Sequence, residues 1–185
     1  MKKLLTKKKI VITACGTSYF AGLVGKNFFQ EIAGIECEVQ IASEYRYQKN
    51  FWDPDETCVV AISQSGETAD TLAAIKEAMR RGLLTLGVVN VPGSTIANLT
   101  KAGIFTHAGK EVGVASTKAF TAQITVLFMM ALAIGERKSL DVLTKQRYLN
   151  HFKKIPSQIE TMLADTTECK KIAKQLSKHD HVFFL

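Results

Sequence analysis

Apolar residues fall along this chain in short dense runs, separated by longer stretches in which they recur every three or four positions. The runs at 10–14, 37–42, 57–62, 83–89 and 103–106 are apolar rather than alternating, as expected of strands covered on both faces of a parallel sheet. The stretches between them read as helices. Residues 19–33 put Phe20, Leu23, Val24, Phe28 and Ile32 on one face, with Gly34 as C-cap. Residues 68–81 align Leu72, Ile75 and Met79 and stop at Gly82. Ser94 can cap a short helix to Thr100, and 116–134 reads as a long helix capped by Gly135. Residues 43–54 form a polar and aromatic connection. Strands alternating with helices predict an α/β fold, a three-layer sandwich with a five-stranded parallel sheet. After Ser139 the texture becomes more charged, with helical patterns at 140–163 and 168–177 and a strand pattern at 181–185.

Composition narrows the class. The 185 residues are long enough for one domain with its own core, and 46% hydrophobic with 22% charged is ordinary for a soluble globular protein. The net charge of +7 gathers in Lys2, Lys3, Lys7, Lys8 and Lys9 and in the region after Arg137. No aromatic residues interleave with these lysines, so a solvated tail and helix faces are expected rather than a nucleic-acid surface. Cys15, Cys37, Cys58 and Cys169 lie far apart without ligand spacing, which predicts reduced thiols, no metal and a cytoplasmic chain. Lys7-Lys8-Lys9 interrupts the only signal-peptide-like run, and the apolar run 124–134 is too short to span a bilayer, so no membrane partner is expected.

The candidate chemistry sits at three polar hinges before helices: Gly16-Thr17-Ser18, Ser63-Gln64-Ser65-Gly66-Glu67-Thr68 and Gly113-Val114-Ala115-Ser116-Thr117. In parallel α/β sheets, ligands bind beyond the carboxyl ends of the strands, where helix N-termini offer N–H groups to anions. A lone Ser or Thr there is more simply an N-cap, and Glu67 a first-turn acid suited to the helix dipole. The second hinge carries three hydroxyls where one cap needs one. Other signatures fail: there is no GxGxxG and no GxSxG, and Gly22-Leu23-Val24-Gly25-Lys26-Asn27 imitates a P-loop only in mid-helix. Cys15 at a strand end could be a nucleophile, but no His is placed as its base. Lys118 is either solvated or a helper for phosphate.

The stretches ACGTSYFAGL, EVQIASEYRY, ISQSGETADTL, NVPGSTIA and EVGVASTKAFTAQ, spread over 9–134, resemble the sugar isomerase (SIS) domain of the glucosamine-6-phosphate synthase family. These are the glutamine–fructose-6-phosphate aminotransferases (isomerizing), which make glucosamine 6-phosphate from fructose 6-phosphate and glutamine. The resemblance implies a flavodoxin-like fold and the first of two SIS modules. Ser63, Gln64, Ser65 and Thr68 would hold the sugar phosphate, and Thr17, Ser18, Val114 and Ser116 would line the sugar. It places residues 1–164 in that module, with its core at 9–135, and 165–185 in a helix and strand like the start of the second. It implies a homodimeric whole enzyme and no cofactor. The glutaminase domain, the isomerising glutamate, the ring-opening histidine and the Schiff-base lysine are not found here, so the chain alone is expected to be inactive. A stand-alone phosphosugar-sensing module and a glutamine-independent phosphosugar isomerase or deglycase remain the alternatives.

Overall fold

A computed structural model describes residues 2–100, 102–113 and 116–183. The elements run α1 (Lys2–Leu5), β1 (Lys9–Ala14), α2 (Gly16–Glu31), β2 (Glu36–Ile41), α3 (Ala42–Tyr45), β3 (Thr57–Ser63), α4 (Ala69–Arg80), β4 (Leu84–Val89), α5 (Thr95–Thr100), β5 (Gly103–Phe105), α6 (Lys118–Lys138), α7 (Val142–Ala164) and α8 (Thr167–Leu176). The packing forms two compact units, residues 1–141 and 142–185. This boundary falls near the change of texture after Ser139.

In the first unit the five strands are all parallel, in the order β2-β1-β3-β4-β5. Every residue of β3, the central strand, is buried. The chain moves outward one way from β1 and the other way from β3. The two strands are neighbours, with Thr13 beside Ala61, so the hinges that follow them open side by side at the switch point of the sheet. One face carries α3, α4 and α5 over a core of Val11, Val59, Ala61, Tyr45, Ile75 and Ile96. The other carries α2, with α6 packed on it. By length and composition α6 could cross a membrane, since the helix extends well beyond the apolar run 124–134, but half of it is buried. Ala119, Leu127 and Ile134 are on that buried side.

Several expectations shift. The buried face of α2 is Ser18, Ala21, Gly22, Gly25 and Phe29, while Phe20 and Leu23 are exposed. At Gly22 and Gly25 the helix lies so close to its neighbours that no side chain fits without a shift, while Phe29 is buried further along. A Cβ on Gly22 would come within 2.9 Å of Ile12, and one on Gly25 within 2.7 Å of Leu127. Gly135 does not cap the long helix: it lies inside α6, against the carbonyl of Ile32, and Ser139 is the C-cap. Gly34 and Gly82 do end their helices in the left-handed region, with the amides of Ile35 and Leu83 returning to the carbonyls of Phe29 and Ala78. The connection 43–54 begins with the short α3, which buries Tyr45 against Trp52. β5 is an exposed edge strand rather than a buried one.

In the second unit, α7 and α8 bury no residue, and Asp165 Oδ1 accepts the Thr167 N–H at 3.0 Å at the start of α8. Residues 181–183 are in no strand, and 184–185 of the expected strand lie outside the described residues.

Candidate functional site

The second hinge closes on itself. Ser63, at the buried end of β3, accepts the Gly66 N–H on Oγ at 3.0 Å and shares a 3.0 Å hydrogen bond with Thr68 Oγ1. Ser65 Oγ accepts the Glu67 N–H at 3.1 Å. Gly66 adopts φ +70°, and a Cβ there would sit 2.0 Å from Ser94 Oγ, so the turn requires glycine. Thr68 is the N-cap residue of α4, but its side chain makes no capping bond. The loop N–H groups thus occupy one lone pair on each of Ser63 and Ser65, and one proton of the Ser63–Thr68 pair is used between them, which leaves the Ser65 proton and the other proton of the pair to donate. Gln64 is half-buried, and its amide has no protein partner among the described residues.

The simple capping readings do not hold at the other hinges. The N-cap of α2 is Cys15, without a side-chain bond, and α2 starts at Gly16, so Thr17 and Ser18 lie inside its first turn. Ser18 is buried, and its Oγ accepts a hydrogen bond from Gln123 Nε2 at 3.0 Å. Ser116 lies two residues before α6, whose N-cap is Thr117, again without a side-chain cap. Val114 lies outside the described residues. Cys15 is half-buried, with no hydrogen-bonded base among the described residues.

Two acids have roles that the local pattern did not reveal. Glu67 reaches across to α5, where Oε1 accepts the Thr95 N–H at 2.7 Å. Ser94, read as that cap, has instead a buried Oγ with no partner among the described residues. Glu111 Oε2 accepts the N–H groups of Ala119 and Thr117, each at 3.2 Å. These backbone bonds lower both carboxyls below the ordinary range, through Thr95 for Glu67 and chiefly through Ala119 for Glu111. The starts of α5 and α6 therefore already hold a protein carboxylate, while those of α2 and α4 have no side-chain cap. Asn90 fastens the end of β4 to the following loop: its Oδ1 accepts from Thr106 Oγ1 and the Ala108 N–H, and its Nδ2 donates to the Gly109 carbonyl.

A parallel sheet in the order 2-1-3-4-5 belongs to the doubly wound α/β class, and here the uncapped, hydroxyl-lined starts of α2 and α4 lie at its switch point. Residues 3–133 match the SIS domain family, and the chain belongs to it. It is 43% identical over 185 residues to the glutamine–fructose-6-phosphate aminotransferase (isomerizing) of Chlorobaculum tepidum, covering 100% of this chain and 30% of that protein. With the enzyme of the same name from Escherichia coli K12 the identity is 42%, over 99% of this chain and 30% of that protein. The chain thus spans about 30% of the length of these curated relatives. A solved C-terminal domain of glucosamine-fructose-6-phosphate aminotransferase from Francisella tularensis superposes with a TM-score of 0.89 at 37% identity, covering 97% of this chain and 52% of that one.

Proposed function

We propose that this chain is the first SIS module of a glutamine–fructose-6-phosphate aminotransferase (isomerizing) and that it binds the phosphosugar, fructose 6-phosphate or glucosamine 6-phosphate. The observation that carries the proposal is the α4 start, where Ser63, Ser65 and Thr68 converge on an uncapped helix, with loop N–H groups already on Ser63 and Ser65 and one hydroxyl proton of the Ser63–Thr68 pair free. Such hydroxyls are donors, and a phosphate dianion takes donors only. Gln64 supplies a fourth group, and the partial positive charge of α4 adds to the attraction. Thr17, Ser18, Val114 and Ser116 line the sugar in this reading. The amination and isomerisation belong to the whole enzyme, a cytoplasmic homodimer without nucleic-acid or membrane partners. Residues 165–185 open its second module.

The test compares Thr68→Val with Thr166→Val. Thr166 stands at the start of α8, in the other packing unit. Thr68→Val removes one hydrogen bond to a charged ligand, worth about 1.5–3 kcal/mol, so glucosamine 6-phosphate affinity should fall about tenfold or more. Thr166→Val should leave it unchanged. Calorimetric titration with glucosamine 6-phosphate and with glucosamine reads both effects. Equal affinity for the two sugars, or an unchanged affinity in a folded Thr68→Val, refutes the phosphate assignment.

A further inference from the structure

The side of α6 that is buried carries Ala119, Gln123, Leu127, Met130, Ala131 and Ile134. Gln123 is the polar exception, 1% exposed on a buried helix face that is otherwise apolar. An amide at such a place lowers stability unless its hydrogen bonds are made, and a methionine of similar volume would pack there without that cost. Only half of the amide is satisfied. Nε2 donates to Ser18 Oγ, across 105 positions of sequence, while Oε1 has no partner among the described residues. The bond to Ser18 therefore needs a reason beyond packing.

That reason lies in the chemistry of a hydroxyl, which has one proton and two lone pairs. A donor aimed at Ser18 Oγ occupies a lone pair and leaves the proton to point elsewhere. Ser18 makes no other side-chain hydrogen bond among the described residues, so no helix carbonyl takes that proton. It is in the first turn of α2, whose start opens beside the Ser63–Thr68 hinge. We infer that Gln123 is a positioning residue that sets the hydrogen-bond polarity of Ser18, holding its hydroxyl as a donor toward an oxygen of the phosphosugar. The inference rests on the proposed phosphosugar site and adds to it a side chain that touches no ligand. It also couples α6 to α2 through their side chains.

A double-mutant cycle on the full chain tests this, with glucosamine 6-phosphate titrated calorimetrically and folding checked by thermal melting. Gln123→Met keeps the volume and removes the donor, and affinity should fall about threefold to tenfold. Gln123→Glu presents an acceptor that takes the Ser18 proton, and the fall should exceed about tenfold. In a Ser18→Ala background both substitutions should change affinity less than about twofold, because the hydroxyl they orient is gone. Folded variants that bind like the unmodified chain overturn the inference. So do equal losses with and without the Ser18 hydroxyl, which is what a purely structural Gln123 produces. If Thr68→Val weakens binding while the Gln123 variants do not, only the inference fails. Absence of any phosphosugar binding by the unmodified chain overturns the site reading and the inference together.

Discussion

Glu77 shows how one side chain can order a loop far from its own helix. Its carboxylate accepts hydrogen bonds from Arg80 Nε and Nη2, both at 2.7 Å, and from Arg81 Nε at 2.6 Å. Arg81 in turn donates to the carbonyls of Asn50 and Gln48 at 3.3 and 3.2 Å, tying α4 to the connection after α3. The arginine hydrogen bonds, Arg80 first, hold the Glu77 carboxyl down at about 2. A carboxyl lowered on folding stabilises the protein above its ordinary value, and the gain is lost as pH falls toward about 2. The side chain of Arg80 is 72% exposed, so solvent screening keeps the contribution of Glu77 to about 1 kcal/mol. Glu77→Gln should therefore lower stability by about 1 kcal/mol at neutral pH. The difference from the unmodified chain should close as the pH approaches about 2. Urea denaturation across that range checks it, and a gap that stays constant with pH would show that the charge on Glu77 contributes nothing.

Between elements, the decisive feature is the close approach of α2 and α6. Alanine in place of a helical glycine normally gains about 1 kcal/mol in propensity. At Gly135 the new Cβ would lie 2.3 Å from the Ile32 carbonyl oxygen, which is backbone and cannot step aside. The helices must separate, and Gly135→Ala should lose about 1–3 kcal/mol net. At Gly25 the nearest atom, at 2.7 Å, is Leu127 Cδ1, the far end of a flexible side chain. Gly25→Ala should therefore cost less than Gly135→Ala. Thermal melting of the two variants gives the order, and a Gly135→Ala as stable as the unmodified chain would mean that the helices pack less tightly than described.

At the scale of the whole molecule, the two packing units differ in kind. Residues 1–141 enclose a sheet with a core on both faces, whereas α7 and α8 bury no residue and expose Val142, Leu143, Met162 and Leu163. Segments with little buried surface open at low free energy, and proteolysis follows the open population. Trypsin should cut first after Arg147, Lys153, Lys154, Lys170 or Lys171, leaving a resistant fragment that ends near Asp141. Mass spectrometry of a time course reads this directly. First cuts within 1–141 would reverse the expected order of stability.

The sequence by itself determined the alternation of strands and helices, because unbroken runs such as Val59–Ile62 and the 3.6-residue recurrence are local properties of the chain. It also marked the hinge at Ser63–Thr68, since three hydroxyls before one helix exceed what capping needs. It did not determine which face of α2 turns inward. Pattern reading weighs size and hydrophobicity, and there Ala21, Gly22 and Gly25 are buried while Phe20 is out, because the neighbouring elements leave no room for larger side chains. Nor did it reveal that Glu67 caps α5, that Glu111 caps α6, or that Gln123 meets Ser18. Those partners are 28, 8 and 105 positions apart, and the last is brought together only when α6 packs beside α2. Hydrogen bonds of this kind depend on where the topology returns the chain in space, so only the tertiary structure decided which of the described polar groups are engaged by the protein itself.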